Sequence, residues 1–187
     1  MIKVLSIIIA MYFFIGCTPK QQSQPSSQQT LSTAIKNVSL VSKVEQSAEN
    51  RVPNFFWKDE NGKEISFAEF SKGSAVLVNF WATWCPPCRK ELPDLISLNE
   101  ELKNTNLKII GISTDKGTDI LKDVAQFSDE YKINYPIIID NGELEKAFGG
   151  VRALPTTFFV DKNETIVKKM IGLQTKETFQ KELTALQ

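Results

Sequence analysis

An α/β sheet covered by helices on both faces is the fold class this sequence predicts, and three observations predict it. From about residue 75 onward, short apolar runs rich in β-branched residues alternate with longer runs whose apolar residues recur every three or four positions. The length, 187 residues, suits one domain with appendages. Hydrophobic residues at 42% against charged residues at 24%, with 12 Phe to help fill a core, describe a globular chain and not a disordered or fibrous one.

Residues 1–16 read as an export signal. Lys3 gives a positive start, and Val4 to Ile15 is an apolar run interrupted only by Ser6. That run falls short of the roughly 20 residues a membrane-spanning helix needs, so a cleaved signal is expected in preference to an anchor. It ends Phe14-Ile15-Gly16-Cys17, which resembles a bacterial lipobox, the signal for lipidating a cysteine and cleaving just before it. Gly16 and Cys17 match, while Phe14 stands where that signal usually has Leu. An ordinary secretory peptide with an incidental cysteine is the alternative. Lipidation of Cys17 would also explain an odd total of three cysteines, because a free thiol is a liability in an oxidising compartment.

Residues 17–50 read as a tether. The stretch to about Thr30 is dominated by Gln, Ser and Pro, a composition that cannot offset ordering entropy by burial. Then Leu31, Ile35, Val38, Val41, Val44 and Ala48 recur at spacings of three or four. That fits a short amphipathic helix leaning on the domain or the membrane, or an adhesive linker; the Ser and β-branched content argues against the helix, and residues 31–50 stay unassigned.

The compact domain is expected over residues 51–187. Ala75 to Phe80 is a buried strand, Pro86 to Lys103 a helix with Leu92, Leu95, Ile96, Leu98 and Leu102 on its apolar side, and Lys108 to Ile112 a second strand. A helix over Ile120 to Tyr131 and a strand over Pro136 to Ile139 follow, closed by the turn residues Asp140-Asn141-Gly142. Thr156 to Val160 and Thr165 to Ile171 form a hairpin across Asp161-Lys162-Asn163, and a last helix covers Lys176 to Leu186. The pair Gly149-Gly150 reads as a turn.

Charge and composition exclude several chemistries. Twenty-two basic residues balance 22 acidic ones, which leaves no basic footprint for nucleic acid. With no histidine there is no Ser-His-Asp or Cys-His nucleophile and no His-ligated metal. Two clustered thiols are too few for a zinc site, so neither a metal nor another cofactor is expected.

The chemical signal lies in Trp81-Ala-Thr-Trp-Cys-Pro-Pro-Cys88, where a strand hands over to a helix. Cys85 and Cys88 are nearly one helical turn apart, so both thiols share a face and can close a disulfide ring. Cys85 falls at the helix N-terminus, where unpaired amides and the dipole favour an anion; it is expected to be the attacking thiolate, open to incoming disulfides, with Cys88 as the resolving thiol. Pro86 and Pro87 lack N–H groups, so the Cys88 amide is the nearest donor left for the Cys85 thiolate. Fewer donors stabilise the thiolate less, and two fixed φ angles preorganise the ring. Both effects favour a reductant over an oxidant. A loop this small gains little from closure, which argues against a purely structural disulfide. Trp81 is assigned to the core and Trp84 to a docking surface at the rim. Glu91 and Asp94 need only a dipole explanation, and Arg89 and Lys90 are expected to be solvated.

This run resembles the active site of the thioredoxin superfamily, specifically the TlpA/ResA-like thiol–disulfide oxidoreductases. Pro93 looks like the proline of the active-site helix, Val151 to Asp161 like the family's cis-proline strand, and Gly111 to Pro136 like its extra strand–helix insertion. The resemblance covers roughly Pro53 to the C-terminus. It implies a thioredoxin-like mixed sheet, a cis Pro155 packed over the cysteine pair, and a Leu154 backbone free to pair with a substrate strand. It implies a membrane-tethered, extracytoplasmic reductase of protein disulfides, re-reduced by a membrane thiol donor, with apocytochrome c among the candidate substrates. General repair or antioxidant work is an equal contender. Asn79 stands where thioredoxins usually carry the buried Asp that serves the resolving cysteine, so another base is needed, and Asp115 and Asp119 are the candidates. A peroxiredoxin-like peroxidase shares the fold, but the Thr-x-x-Cys arrangement is absent, since Thr83 lies two residues before Cys85. A non-catalytic binding lipoprotein is the third reading.

Overall fold

The structure is a computed structural model and describes residues 37–186. The expected signal segment and the lipidated Cys17 lie outside the described residues. Nine strands and five helices follow one another as β1 (Val38–Leu40), β2 (Lys43–Glu45), β3 (Asn54–Lys58), β4 (Glu64–Ser66), α1 (Phe67–Ser71), β5 (Ala75–Trp81), α2 (Pro86–Leu102), β6 (Leu107–Ser113), α3 (Ile120–Tyr131), β7 (Ile137–Ile139), α4 (Glu143–Ala147), β8 (Thr156–Val160), β9 (Ile166–Ile171) and α5 (Lys176–Thr184).

Six strands make one mixed sheet in the order β1-β7-β6-β5-β8-β9. The first four run parallel, and β8 and β9 return antiparallel. The strands β2, β3 and β4 form a separate antiparallel sheet. β5 is central, and all seven of its residues are buried, as a strand covered on both faces requires. Its alternation divides the core. Leu77 and Trp81 join the cluster under α2, α3 and α5, with Leu92, Leu95, Val124 and Phe179. Val76, Val78 and Phe80 join the opposite cluster, with Phe55, Phe67, Leu144, Phe148 and Phe158. There the phenylalanines pack on one another, Phe80 and Phe148 with ring centroids 5.1 Å apart and Phe148 and Phe158 4.9 Å apart.

The boundary expected at residue 51 is corrected. β1 pairs with β7, Val38 opposite Ile137, and β2 pairs with β3, so described residues of the expected tether belong to both sheets. The helix considered for residues 31–50 is replaced there by two three-residue strands. The short helices α1 and α4 also went unread. Ser66 and Glu69 cap α1 reciprocally, and the Asp140 carboxylate accepts from the amides of Leu144 and Glu145 to start α4.

One glycine is fixed by close approach. Gly111 sits between Asn79 on β5 and Ile137 on β7, and a Cβ there would stand 2.9 Å from Trp81 Nε1 and 3.2 Å from Tyr135 Cε2. Both rings are buried and cannot withdraw. Gly111→Ala is therefore expected to destabilise the oxidised protein by about 1–3 kcal/mol, read as a lower urea midpoint.

Candidate active site

The strand-to-helix junction after β5 places the two cysteines. Cys85 is the N-cap of α2, in extended backbone conformation, and Pro86 and Pro87 fill the first two helical positions, where a missing N–H costs no helical bond. Cys85 and Cys88 form a disulfide with Cα atoms 5.3 Å apart. The Cys88 amide donates to Cys85 Sγ at 3.4 Å, the contact expected once both prolines are removed as donors.

The expected openness of Cys85 is corrected. It retains 3% of its surface and Cys88 none, and both belong to the cluster that contains Leu92 and Leu95. The N-cap geometry turns Sγ inward over the first turn, and Cys85 lines a cleft of about 580 Å³. Trp84, Pro86, Pro87 and Leu154 all line that cleft, with Trp84 66% exposed at its rim. Trp81 is fully buried, as assigned. The Leu154–Pro155 bond is cis. Pro155 is buried, and the cleft wall itself is formed by residues 151–154. A larger concavity, about 640 Å³ along β1 and Leu121, contains no cysteine.

Neither candidate base hydrogen-bonds to a cysteine among the described residues. Asp115 accepts from the Thr83 amide at 3.0 Å, the Thr83 hydroxyl at 2.6 Å and the Ser113 hydroxyl at 2.8 Å, so its carboxylate fastens the turn before Cys85. Asp119 is exposed at the start of α3. A second buried carboxylate on this side of the sheet is Glu91, one turn beyond Cys88 on the same helix and 1% exposed. Asn79 Nδ2 donates to Glu91 Oε1 at 2.8 Å and to Thr157 Oγ1 at 3.1 Å, and the Gln174 amide donates to Glu91 Oε2 at 3.3 Å. Burial pushes the Glu91 carboxyl up to about 7, with the Asn79 and Gln174 hydrogen bonds opposing and the Asp94 charge adding. The dipole explanation given to Glu91 is thereby replaced. The signal was present in the sequence, because residue 91 falls on the buried helix face between Cys88 and Leu95.

Asn79 Oδ1, Trp81 Nε1 and the Tyr135 hydroxyl are buried without a protein partner. The unused Asn79 oxygen matters chemically. The amide donates to an ionised Glu91, and a half-turn about its terminal bond would present Oδ1 to the protonated acid. An asparagine can thus serve both protonation states, which an ionised aspartate beside Glu91 could not. Arg89 is not simply solvated: it donates to the Tyr131 hydroxyl at 2.9 Å and stacks over the rings of Phe127 and Tyr131.

Residues 48–169 match the AhpC/TSA family. The thiol-disulfide oxidoreductase ResA of Bacillus thuringiensis is 41% identical over 125 residues, spanning 67% of this chain and 70% of that protein. The chain belongs to the AhpC/TSA family, among its ResA-like thiol–disulfide oxidoreductases. The fold agrees. A thioredoxin-family thiol:disulfide interchange protein from Chlorobium tepidum superposes with a TM-score of 0.65 at 29% identity, covering 75% of this chain and 98% of that one. An exposed lipoprotein thioredoxin from Streptococcus pneumoniae gives 0.60 at 26% identity, covering 71% and 99%. The fold is accordingly thioredoxin-like, and the Cys85–Cys88 disulfide is the redox pair of an oxidoreductase.

A carboxyl raised above its ordinary 4.5 binds its proton more tightly in the folded state than in the unfolded one. Folding stability therefore falls as pH rises from about 4.5 through about 7, by up to about 3 kcal/mol. Urea unfolding of the oxidised protein at pH 5 and pH 8 should show this loss, and Glu91→Gln should remove most of it while keeping the Asn79 contact.

Proposed function

We propose that the protein is a membrane-tethered, extracytoplasmic reductant of protein disulfides. The observation that carries this reading is a disulfide whose Cys85 lines an apolar cleft, backed by a buried acid that titrates near neutrality. In the reduced form, the Cys85 thiolate attacks one sulfur of a substrate disulfide, joining Cys85 to the substrate and releasing the first substrate thiolate. Cys88 gives its proton to the Glu91 carboxylate, and its thiolate attacks Cys85 Sγ. The second substrate thiolate leaves as the Cys85–Cys88 bond closes, so two electrons pass to the substrate. Asn79 holds Glu91 in place throughout. A membrane thiol donor restores the pair.

The paired prolines support reduction as the direction, since one amide at 3.4 Å is the donor available to the Cys85 sulfur. A potential nearer thioredoxin's, about −270 mV, than DsbA's, about −120 mV, is expected. Trp84, Leu154 and the exposed Ile171 and Leu173 supply apolar surface for a polypeptide; Gly172 between the latter two donates to the Pro155 carbonyl at 2.8 Å, which sets them beside the cis-proline loop. Apocytochrome c, with its haem-binding cysteine pair, fits such a site as substrate. The lipobox at Cys17 and the lipoprotein nature of the pneumococcal relative support the anchor. No helix among the described residues is long and apolar enough to cross a membrane. The peroxidase reading is disfavoured by Thr83, whose hydroxyl is engaged by Asp115 and not by a cysteine.

In an insulin-reduction assay, Cys85→Ser should abolish turnover, and Cys88→Ser should accumulate mixed disulfides through Cys85 that mass spectrometry can identify. Insulin left intact by the wild type, with hydrogen peroxide consumed instead, would reverse the assignment. Cys17→Ser should move the protein from the membrane fraction to the soluble one.

A further inference from the structure

The cleft over Cys85 is apolar along much of its lining and charged at its rim. Its charged side chains are Lys116, Glu145 and Arg152. Lys116 and Glu145 largely offset each other, Nζ to Oε2 at 3.9 Å, with the lysine side chain 73% exposed. Arg152 is exposed and forms no ion pair or hydrogen bond with any described residue. The cleft therefore carries one uncompensated positive charge, on a flexible side chain two residues before Leu154. The Leu154 amide and carbonyl take no hydrogen bond among the described residues, so an extended backbone can pair there.

The geometry points to Arg152 as a specificity-determining residue that selects disulfides in extended polypeptide segments carrying a carboxylate within about two residues of the attacked cysteine. This rests on the reductase reading above. A strand paired at Leu154 places its reactive cysteine against the Cys85 sulfur, and side chains two positions apart in a strand lie about 7 Å from one another on one face. An Asp or Glu at that distance meets the guanidinium, which is built to take a carboxylate with two parallel hydrogen bonds. The apolar lining of Trp84, Pro87, Val151 and Leu154 suits the rest of a peptide better than it suits a small anion. A rim charge acts chiefly on the encounter rate and is screened by salt, so the selection is several-fold.

The test uses the full-length reduced protein in single-turnover mixing, with tryptophan fluorescence reporting oxidation. Three disulfide-bonded peptides differ only in Glu, Gln or Lys two positions from one cysteine, and uncharged hydroxyethyl disulfide is the reference. The wild type should react about three- to tenfold faster with the Glu peptide than with the Lys peptide at low salt, and the ratio should approach one at high salt. Arg152→Gln should erase the ratio and Arg152→Glu should invert it, a reversal that a merely structural change would not produce. A wild-type ratio of one, with hydroxyethyl disulfide still reduced, overturns the role of Arg152 and leaves the reductase reading standing. Oxidised glutathione reacting as fast as the Glu peptide overturns the polypeptide assignment. No reaction with any disulfide overturns the reductase reading as well.

Discussion

A carboxylic acid buried one helical turn beyond the second cysteine is the constraint around which this site is arranged. Glu91 lies on the helix that Cys85 caps and Cys88 joins, yet its two oxygens are held from one strand and a loop: by Asn79 of β5, itself bonded to Thr157 of β8, and by the Gln174 amide. An ionised carboxylate without such donors would be very costly at this depth. With them, desolvation still prevails, and the acid comes to titrate near neutrality. That balance suits a proton acceptor for a buried thiol, because an acid ionised at pH 4 would take the proton only weakly. The replacement of aspartate by asparagine at residue 79 is then a redistribution of roles. The acid moves to the helix, and the strand supplies the amide that steadies it.

The elements that carry this arrangement were legible in the sequence. The helix from Ile120 to Tyr131 is found as read, and β5 and α2 differ from their expected ends by one residue. Long runs with one clear period leave little ambiguity. Residues 38–45 show how the same reasoning fails. Val38, Val41 and Val44 are three apart, which on a helix would place them on one face. In the structure Val38 joins the core under α2 and Val41 the core on the opposite side of the sheet. An odd separation in extended chain sends side chains to opposite faces. Three-residue strands are too short for alternation to show this, and β1 exists only because β7 offers a parallel partner 99 residues away.

The environments of the acids were illegible for a different reason. Asp115 and Glu91 are both buried acids, but nothing local distinguishes their duties. Thr83 claims Asp115 across 32 residues of sequence, with its amide and hydroxyl together. Asn79 claims Glu91 across 12. Each of these contacts is tertiary, and only the helical spacing of residue 91 from Cys88 hinted that Glu91 lies on the buried face of the cysteine helix. The exposure expected of Cys85 failed for a related reason. An N-cap side chain must point back at the first turn to accept an amide, and that requirement turns the sulfur away from solvent.

The helix α3 braces the motif from the side. Phe127 of α3 packs on Trp81 with ring centroids 5.4 Å apart and stacks on Tyr131 at 4.2 Å, and Tyr131 accepts from Arg89. Trp81 ends the strand before the disulfide, and Arg89 follows Cys88 directly. A continuous aromatic and cationic chain from α3 thus grips both flanks of the motif, while Asp115 fastens the turn between them. With its flanks held in this way, the pair has little room to adapt to a partner, and the side left to approach is the cleft bounded by Trp84 and residues 151–154. The residues that hold Glu91 and the residues that line the cleft do not overlap. Substitutions at the cleft rim can therefore alter what docks there without disturbing the hydrogen bonds of the buried acid.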